Sequence, residues 1–262
     1  MEDRSGLVFY DKPALRNPAM LVAWGCIGYV GIDSLVYLAE WLKPRKFAEI
    51  KPYDFFDVEV SVEGAVVTSP PPNITEFFFW KNEAGNDVIM CVASAEPSRE
   101  RQRYTELVLD VAQEMGVTSI YTVCATTDSV NHKEETKLRG VVNHPRLVSR
   151  LMNCGIEPFD VSNLVSMNAL LLAVAKQRGI PAIYLLGRVP RYMAQISNPK
   201  VVGAVVRTLC TMLNLPLDMQ RLDRTISRAQ AEVDKQLRKM SHDFIEKFTV
   251  DYRDIWGAED GK

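Results

Sequence analysis

Cysteine is sparse in this chain and badly placed for cross-linking. The five cysteines, Cys26, Cys91, Cys124, Cys154 and Cys210, are odd in number, widely spread and never arranged as Cys-x-x-Cys. That spacing argues against a disulfide framework and against a zinc ribbon. Three of them sit inside apolar, strand-like runs, where a free thiol behaves as a small hydrophobe. A surplus of one charge is missing too. Lys plus Arg number 31 against 33 Asp plus Glu, a formal charge of −2, and the isoelectric point is near 6.0. The chain as a whole therefore has no pull toward nucleic acid or an anionic membrane surface. No apolar run approaches the ~20 residues that span a bilayer. No basic-then-apolar leader opens the sequence, and the expected compartment is the reducing cytoplasm. Of three histidines, His132 and His144 flank Glu134 and Glu135 without ligand spacing on a helix, so neither metal nor cofactor is expected. Gly-x-Gly-x-x-Gly, Gly-x-x-x-x-Gly-Lys-Ser/Thr and Gly-x-Ser-x-Gly are all absent.

What is present is apolar pattern. Hydrophobic residues make up 47% of 262 positions, enough for a sizeable core. Met20 to Trp24 is apolar throughout, then breaks at Gly25, with further glycines at Gly28 and Gly31. Ile32, Leu35, Val36, Leu38, Ala39 and Leu42 follow at helical spacing. A uniformly apolar strand has both faces covered, so the pattern predicts a parallel sheet and the opening half of a βαβ unit. Phe47 to Ile50 reads as a second strand. Residues 54–92 alternate instead, with Phe77 to Trp80 and Val88 to Ala93 flanking a hairpin turn, which predicts an antiparallel insert.

The βα rhythm then resumes. Helices are expected over 99–115, 145–152, 167–178 and 199–213, and strands over 119–125 and 182–186, with 126–143 a polar loop. From Leu217 to Phe248 apolar residues step by three or four in one narrow seam, a rod of some ~45 Å. The fold class is α/β: a mostly parallel central sheet flanked by helices, with an antiparallel strand insert and a long C-terminal helix. Residues 1–216 form the α/β domain and 217–262 a helical extension.

Parallel strands deliver their carboxyl ends to one rim, the usual ligand position in open α/β sheets. Gly25 and Gly28 follow one strand there, Glu96 another, and Thr127 and Asp128 a third, with His132 close behind and Asn168 opening a helix. The amides of the glycine turn are candidates to hold an anion. Glu96, Asp128 and His132 are the raw material for acid–base work. The plainer reading of the same residues is tight packing at the glycines and helix capping at the polar ones. Four aromatics in a row, Phe77 to Trp80, put two side chains on each sheet face. Phe77, Phe79 and Trp80, with Leu222, Ile226, Val233 and Leu237 of the terminal seam, are the candidates for contact with a partner or a second copy.

These segments also carry a resemblance. Trp24-Gly25-x-x-Gly28, Cys91 to Pro97, Val123 to Asp128 with His132, Asn168 to Leu172, Gly179 to Gly187 with Val189-Pro190, and Asn198-Pro199-Lys200 come in a recognisable order. Over roughly Pro18 to Leu215 the chain resembles the proteasome assembly chaperone family of the second type, in its bacterial and archaeal branch. The resemblance implies a purine-nucleoside-phosphorylase-like fold, a cytoplasmic location, and homo-oligomers with a trimer as the candidate stoichiometry. It also implies contact with other protein subunits. It brings no phosphorylase chemistry, because function belongs to sites and not to folds. Some members end in a hydrophobic-Tyr-x tail that docks on the proteasome ring. This sequence ends Glu259-Asp260-Gly261-Lys262, so docking by that route is not expected. Two functions follow. One is a non-enzymatic, oligomeric interaction protein of assembly-chaperone type, with no nucleic-acid or membrane partner. The alternative is a small-molecule hydrolase or transferase, with Glu96 or Asp128 as its acid–base group, His132 beside them, and the Gly25 turn holding an anion.

Overall fold

The computed structural model describes residues 6–52, 54–57, 60–68, 72–134, 136–161 and 163–239. In chain order, β1 (Leu7–Phe9) leads to β2 (Ala19–Trp24), whose six residues are all buried. A 3-10 turn then opens α1 (Val30–Leu42). Lys43, in the left-handed region at φ 53°, stops that helix and returns its N–H to the Ala39 carbonyl. Next come β3 (Arg45–Ile50), a small hairpin of β4 (Ser61–Glu63) and β5 (Val66–Thr68), then β6 (Thr75–Trp80) and β7 (Val88–Ala93). The second half holds α2 (Arg101–Glu114), β8 (Ser119–Asp128), β9 (Leu138–Val142), α3 (Val148–Asn153), β10 (Glu157–Pro158), α4 (Met167–Gln177), β11 (Ala182–Pro190), α5 (Pro199–Leu213) and α6 (Met219–Lys239).

Nine strands form one sheet in the order β1-β3-β6-β7-β2-β8-β11-β9-β10. The centre, β7-β2-β8-β11, is parallel, as the uniform apolarity of β2 requires. Successive residues of β2 point to opposite faces and enter different cores. Leu21 joins Leu35, Val123, Leu185 and Val205 under α1, α5 and α6. Met20 and Val22 join Phe77, Leu107, Leu171 and Tyr184 under α2 and α4. The expected α/β architecture, with its largely parallel centre and antiparallel margin, is thus the one observed.

Several expectations are corrected in detail. Strand β3 does not lie beside β2; β6 and β7 stand between them. Strand β7 belongs to the antiparallel hairpin with β6 and also pairs in parallel with β2, so the insert and the central sheet share a strand. Strands β8 and β11 run on to Asp128 and Pro190, because the backbone ladder between them continues where side-chain apolarity fades. The segment expected as a loop over 126–143 contains β9, paired antiparallel to β11.

The terminal seam is corrected as well. Asp218 caps α6, its Oδ1 accepting from the N–H groups of Gln220 (2.9 Å) and Arg221 (3.1 Å). Leu222, Ile226, Val233 and Leu237 are buried in the core they share with α1 and α5. Gly203 of α5 lets the two helices close: a Cβ there would stand 3.0 Å from Ile226 Cγ1. The seam is narrow because a single helix docks through it, and the expected partition at 216/217 is not a break in packing. The expected seam residues Met240, Phe244 and Phe248, with the rest of 240–262, lie outside the described residues. The aromatic run is covered in the same way: Phe77 and Phe79 are buried in one core, and Phe78 and Trp80 pack against the other.

Candidate functional site

The glycine turn comes first among the sequence-predicted groups. The Gly25 N–H donates to the Ala93 carbonyl (3.1 Å), the Gly28 N–H to Ala194 (2.7 Å) and the Tyr29 N–H to Cys26 (3.0 Å). Those amides are spent within the protein and are not free for an anion. The glycines instead permit close approach. A Cβ on Gly25 would overlap the Ser94 carbonyl, and one on Gly31 would lie 2.6 Å from the Val123 oxygen. Gly28 also holds φ at +61°, a left-handed conformation that glycine adopts without a Cβ clash. Packing is therefore what this turn geometrically does, and the anion-holding role of Gly25 and Gly28 is corrected.

The polar candidates separate. Glu96 is partly buried, and burial pushes its carboxyl up against the opposing pull of Arg101 and the Met167 N–H. Asn168, buried in the first turn of α4, accepts the Thr122 hydroxyl hydrogen bond, so it pins α4 to β8 and does not line an opening. Thr127 is exposed. Asp128 is clamped by Arg188 Nε at 2.9 Å and Arg139 at 3.4 Å. Burial works against its ionisation, but the Arg188 hydrogen bond, the Ser129 N–H and the two guanidinium charges outweigh it and hold the carboxyl below its usual range.

His132 has a different set of partners. Its Nδ1 is 2.5 Å from the Tyr192 hydroxyl, and its Nε2 is 3.7 Å from Asp234 Oδ1 on α6. Gln230 donates to the same Asp234 oxygen at 2.8 Å. Burial pushes the imidazole down, Asp234 pulls it up, and Lys133 and Lys200 push it down further, leaving it below its ordinary value. A shallow cleft of only about 20 Å³ lies beside it, lined by His132, Glu134, Lys137, Arg188, Lys200 and Gln230 among others. Neither Glu96 nor Asp128 lines that cleft. Among the described residues, the hydrogen bonds and ion pairs of Asp128 and His132 go to different partners, and neither engages Glu96, the third group of the alternative acid–base reading.

Tyr192 and Asp234 escaped sequence reasoning because they stand 60 and 102 positions beyond His132, and no periodicity links them. Cys26 and Cys124, read as small hydrophobes, both pack into the core under α2 and α4, Cys26 partly buried and Cys124 buried. Among the described residues no cluster of three or more His, Cys, Asp and Glu could hold a metal ion. No helix of the described residues is long and apolar enough to cross a membrane.

Apolar surface is concentrated at the β4–β5 hairpin. Its two-residue turn, Gly64-Ala65, has positive φ at both positions, the conformation that matches strand twist in tight hairpins. Val62 and Val67 are cross-strand partners, and Val60 immediately precedes β4. These three and Val66 are 59–66% exposed.

Comparison with known proteins gives three findings. The model of the PAC2 family matches residues 20–237. An uncharacterised protein of Methanocaldococcus jannaschii is 24% identical over 237 residues, 90% of this chain and 88% of that one. Among solved structures, Pyrococcus furiosus PbaB, an archaeal proteasome activator, is 24% identical with a TM-score of 0.72, covering 89% of this chain and 98% of that one. The Mycobacterium tuberculosis proteasome-assembly chaperone homologue is 16% identical with a TM-score of 0.71, covering 89% and 100%. At these identities the likeness to solved structures is one of fold.

Proposed function

We propose a function from one premise: this chain belongs to the PAC2 family, whose model spans both cores and most of α6. Relatives of the same fold are a proteasome activator and a proteasome-assembly chaperone homologue. The protein is a non-enzymatic interaction protein of assembly-chaperone type. It works in the cytoplasm, binds unassembled proteasome subunits and associates with itself, with a trimer as the stoichiometry to test. Its mechanism is transient shielding of apolar surface, a binding free energy with no bond chemistry.

The observation that carries this reading is the family match joined to one surface. Among the described residues, the valines of the β4–β5 hairpin are apolar side chains left in water. Covering each fully is worth roughly 1.5 kcal/mol or more. Among the described residues the hairpin pairs with no other strand, which leaves backbone edges to which an extended segment of another chain can add as a strand. The separate settings of Glu96, Asp128 and His132 favour this reading over the hydrolase or transferase alternative.

The test mixes purified protein with unassembled proteasome subunits and follows assembled rings on native gels. Wild-type protein is expected to raise the yield of rings and to form a complex with the subunits. The Val62→Asp/Val67→Asp variant, folded by circular dichroism, is expected to do neither. Unchanged yield with no complex contradicts the proposal. Sedimentation velocity checks self-association in the same samples, and a single 29.6 kDa species at every concentration contradicts that part.

A further inference from the structure

The end of the sheet opposite the strand-end rim carries a different set of groups. There β9 runs out at Val142, β11 begins at Ala182, and α4 finishes at Gln177. Asn143 joins the three elements. Its Oδ1 accepts the Ala182 N–H at 2.9 Å, and its Nδ2 donates to the Ile180 carbonyl at 2.8 Å. The residue is buried, so the corner is held by an amide with both ends paired. Beside it lies a pocket of about 80 Å³, lined by Asn143, His144, Arg146, Lys176, Ile180 and Pro181 among others. That is several times the roughly 10–15 Å³ that admits one water.

Around this pocket the acceptors are taken and the donors are not. The His144 carbonyl accepts from the Leu147 N–H, Lys176 from Gly179, Ile180 from the Asn143 side chain, and Pro181 from Ile120. The His144 Nδ1 accepts the Arg146 N–H at 3.3 Å, which puts the proton of the neutral imidazole on Nε2, a donor. Arg146 and Lys176 are exposed, and among the described residues neither side chain has a hydrogen bond or an ion pair. No carboxylate is among the described lining residues. Arg178, just past the same helix, differs: Asp110 accepts from it at 2.6 Å. The negative end of α4 accounts for one cation in its last turn, but its carbonyls are already closed by the N–H groups of Arg178, Gly179 and Ile180. Arg146 belongs to a separate 3-10 turn, Pro145–Leu147. Two full positive charges and an imidazole N–H therefore border one space with no negative group to answer them.

We propose that this pocket binds a small phosphate-class oxyanion, either inorganic phosphate or the phosphate end of a small metabolite. Such a group brings acceptor oxygens and close to two negative charges, which is what the pocket lacks. Arg146 supplies a planar fork, Lys176 a point charge and His144 Nε2 the third donor. Because both cations are solvated, a dissociation constant on the order of 1 mM is expected. The proposal stands independently of the assembly reading, which concerns the β4–β5 hairpin.

The experiment follows backbone amide shifts of isotope-labelled full-length protein as sodium phosphate is added, against sodium chloride at matched ionic strength. Saturating shifts are expected over residues 143–147 and 176–182 with phosphate and not with chloride. Arg146→Gln and Lys176→Gln are each expected to weaken phosphate binding roughly tenfold, the worth of one charged hydrogen bond. Circular dichroism checks that both variants fold, as the exposure of the two side chains leads us to expect. Glycerol phosphate is the second probe. Tighter binding than phosphate assigns the site to a metabolite, and equal or weaker binding assigns it to the free ion. Shifts that never saturate, shifts matched by chloride, or an unchanged phosphate affinity in the Arg146→Gln/Lys176→Gln double variant would each overturn the proposal.

Discussion

Strand β2 and the β4–β5 hairpin both carry apolar side chains and end in opposite surroundings. Every residue of β2 is buried, while every residue of β4 and β5 is exposed. The difference is what stands across from each. Strand β2 has a parallel neighbour on either side and helices over both faces. The hairpin is a separate two-stranded sheet. Apolar character in a strand therefore has two meanings in one chain: internal support where elements of the same molecule cover it, and surface to be covered from outside where they do not.

That contrast can be broken or sharpened by substitution, and the largest effect is expected in α6. Leu222→Ala leaves a cavity in the core under α5 and is expected to cost about 3 kcal/mol in urea unfolding. A loss below about 0.5 kcal/mol would return α6 to the status of a detached extension. Next comes Gly25→Ala, whose added methyl meets the Ser94 carbonyl. Backbone on both sides leaves little room to yield, and about 2 kcal/mol of stability is expected to be lost. If the turn were an anion cradle with spare room, that variant would instead fold as well as wild type.

A smaller effect concerns pH. The folded value of His132 lies below its unfolded value of about 6.5, through burial first and then Lys133 and Lys200, against Asp234. In that window the unfolded chain binds more protons, so stability rises with pH. The contribution is fully present above about pH 6.5 and is lost as pH falls toward the folded value. Thermal unfolding between pH 7 and 5 is expected to show this slope, and His132→Gln is expected to reduce it. An unchanged slope would move its origin elsewhere. The smallest stability effect belongs to the hairpin. Val62→Ser with Val67→Ser is expected to stay within about 0.5 kcal/mol of wild type, because water already surrounds both side chains. A larger loss would mean the hairpin is internal structure after all.

The sheet centre was legible in the sequence because burial on both faces leaves a run such as Met20 to Trp24 without polar interruption. Helix α5 was legible to the residue, since Pro199 opens it and apolar spacing holds through Leu213. The ends of β8 and β11 were not, because Thr126, Thr127 and Arg188 carry the ladder with backbone groups that leave no side-chain signature. The terminal seam was read correctly as one-sided but assigned the wrong partner. A stripe of Leu222, Ile226, Val233 and Leu237 looks the same whether it meets α5 or another molecule. The candidate site was least legible, for its real pairings cross the chain: His132 to Tyr192 and Asp234, and Asp128 to Arg188. Strand order brought those residues together, and strand order is not written in local spacing.

The most direct test of the central claim is amide hydrogen exchange over residues 60–68, measured with and without a stoichiometric excess of unassembled proteasome subunits. Strong slowing across β4 and β5, with β2 unchanged because it is already protected, is the result expected here. Equal exchange at the hairpin in both samples would contradict the claim that these valines await another polypeptide.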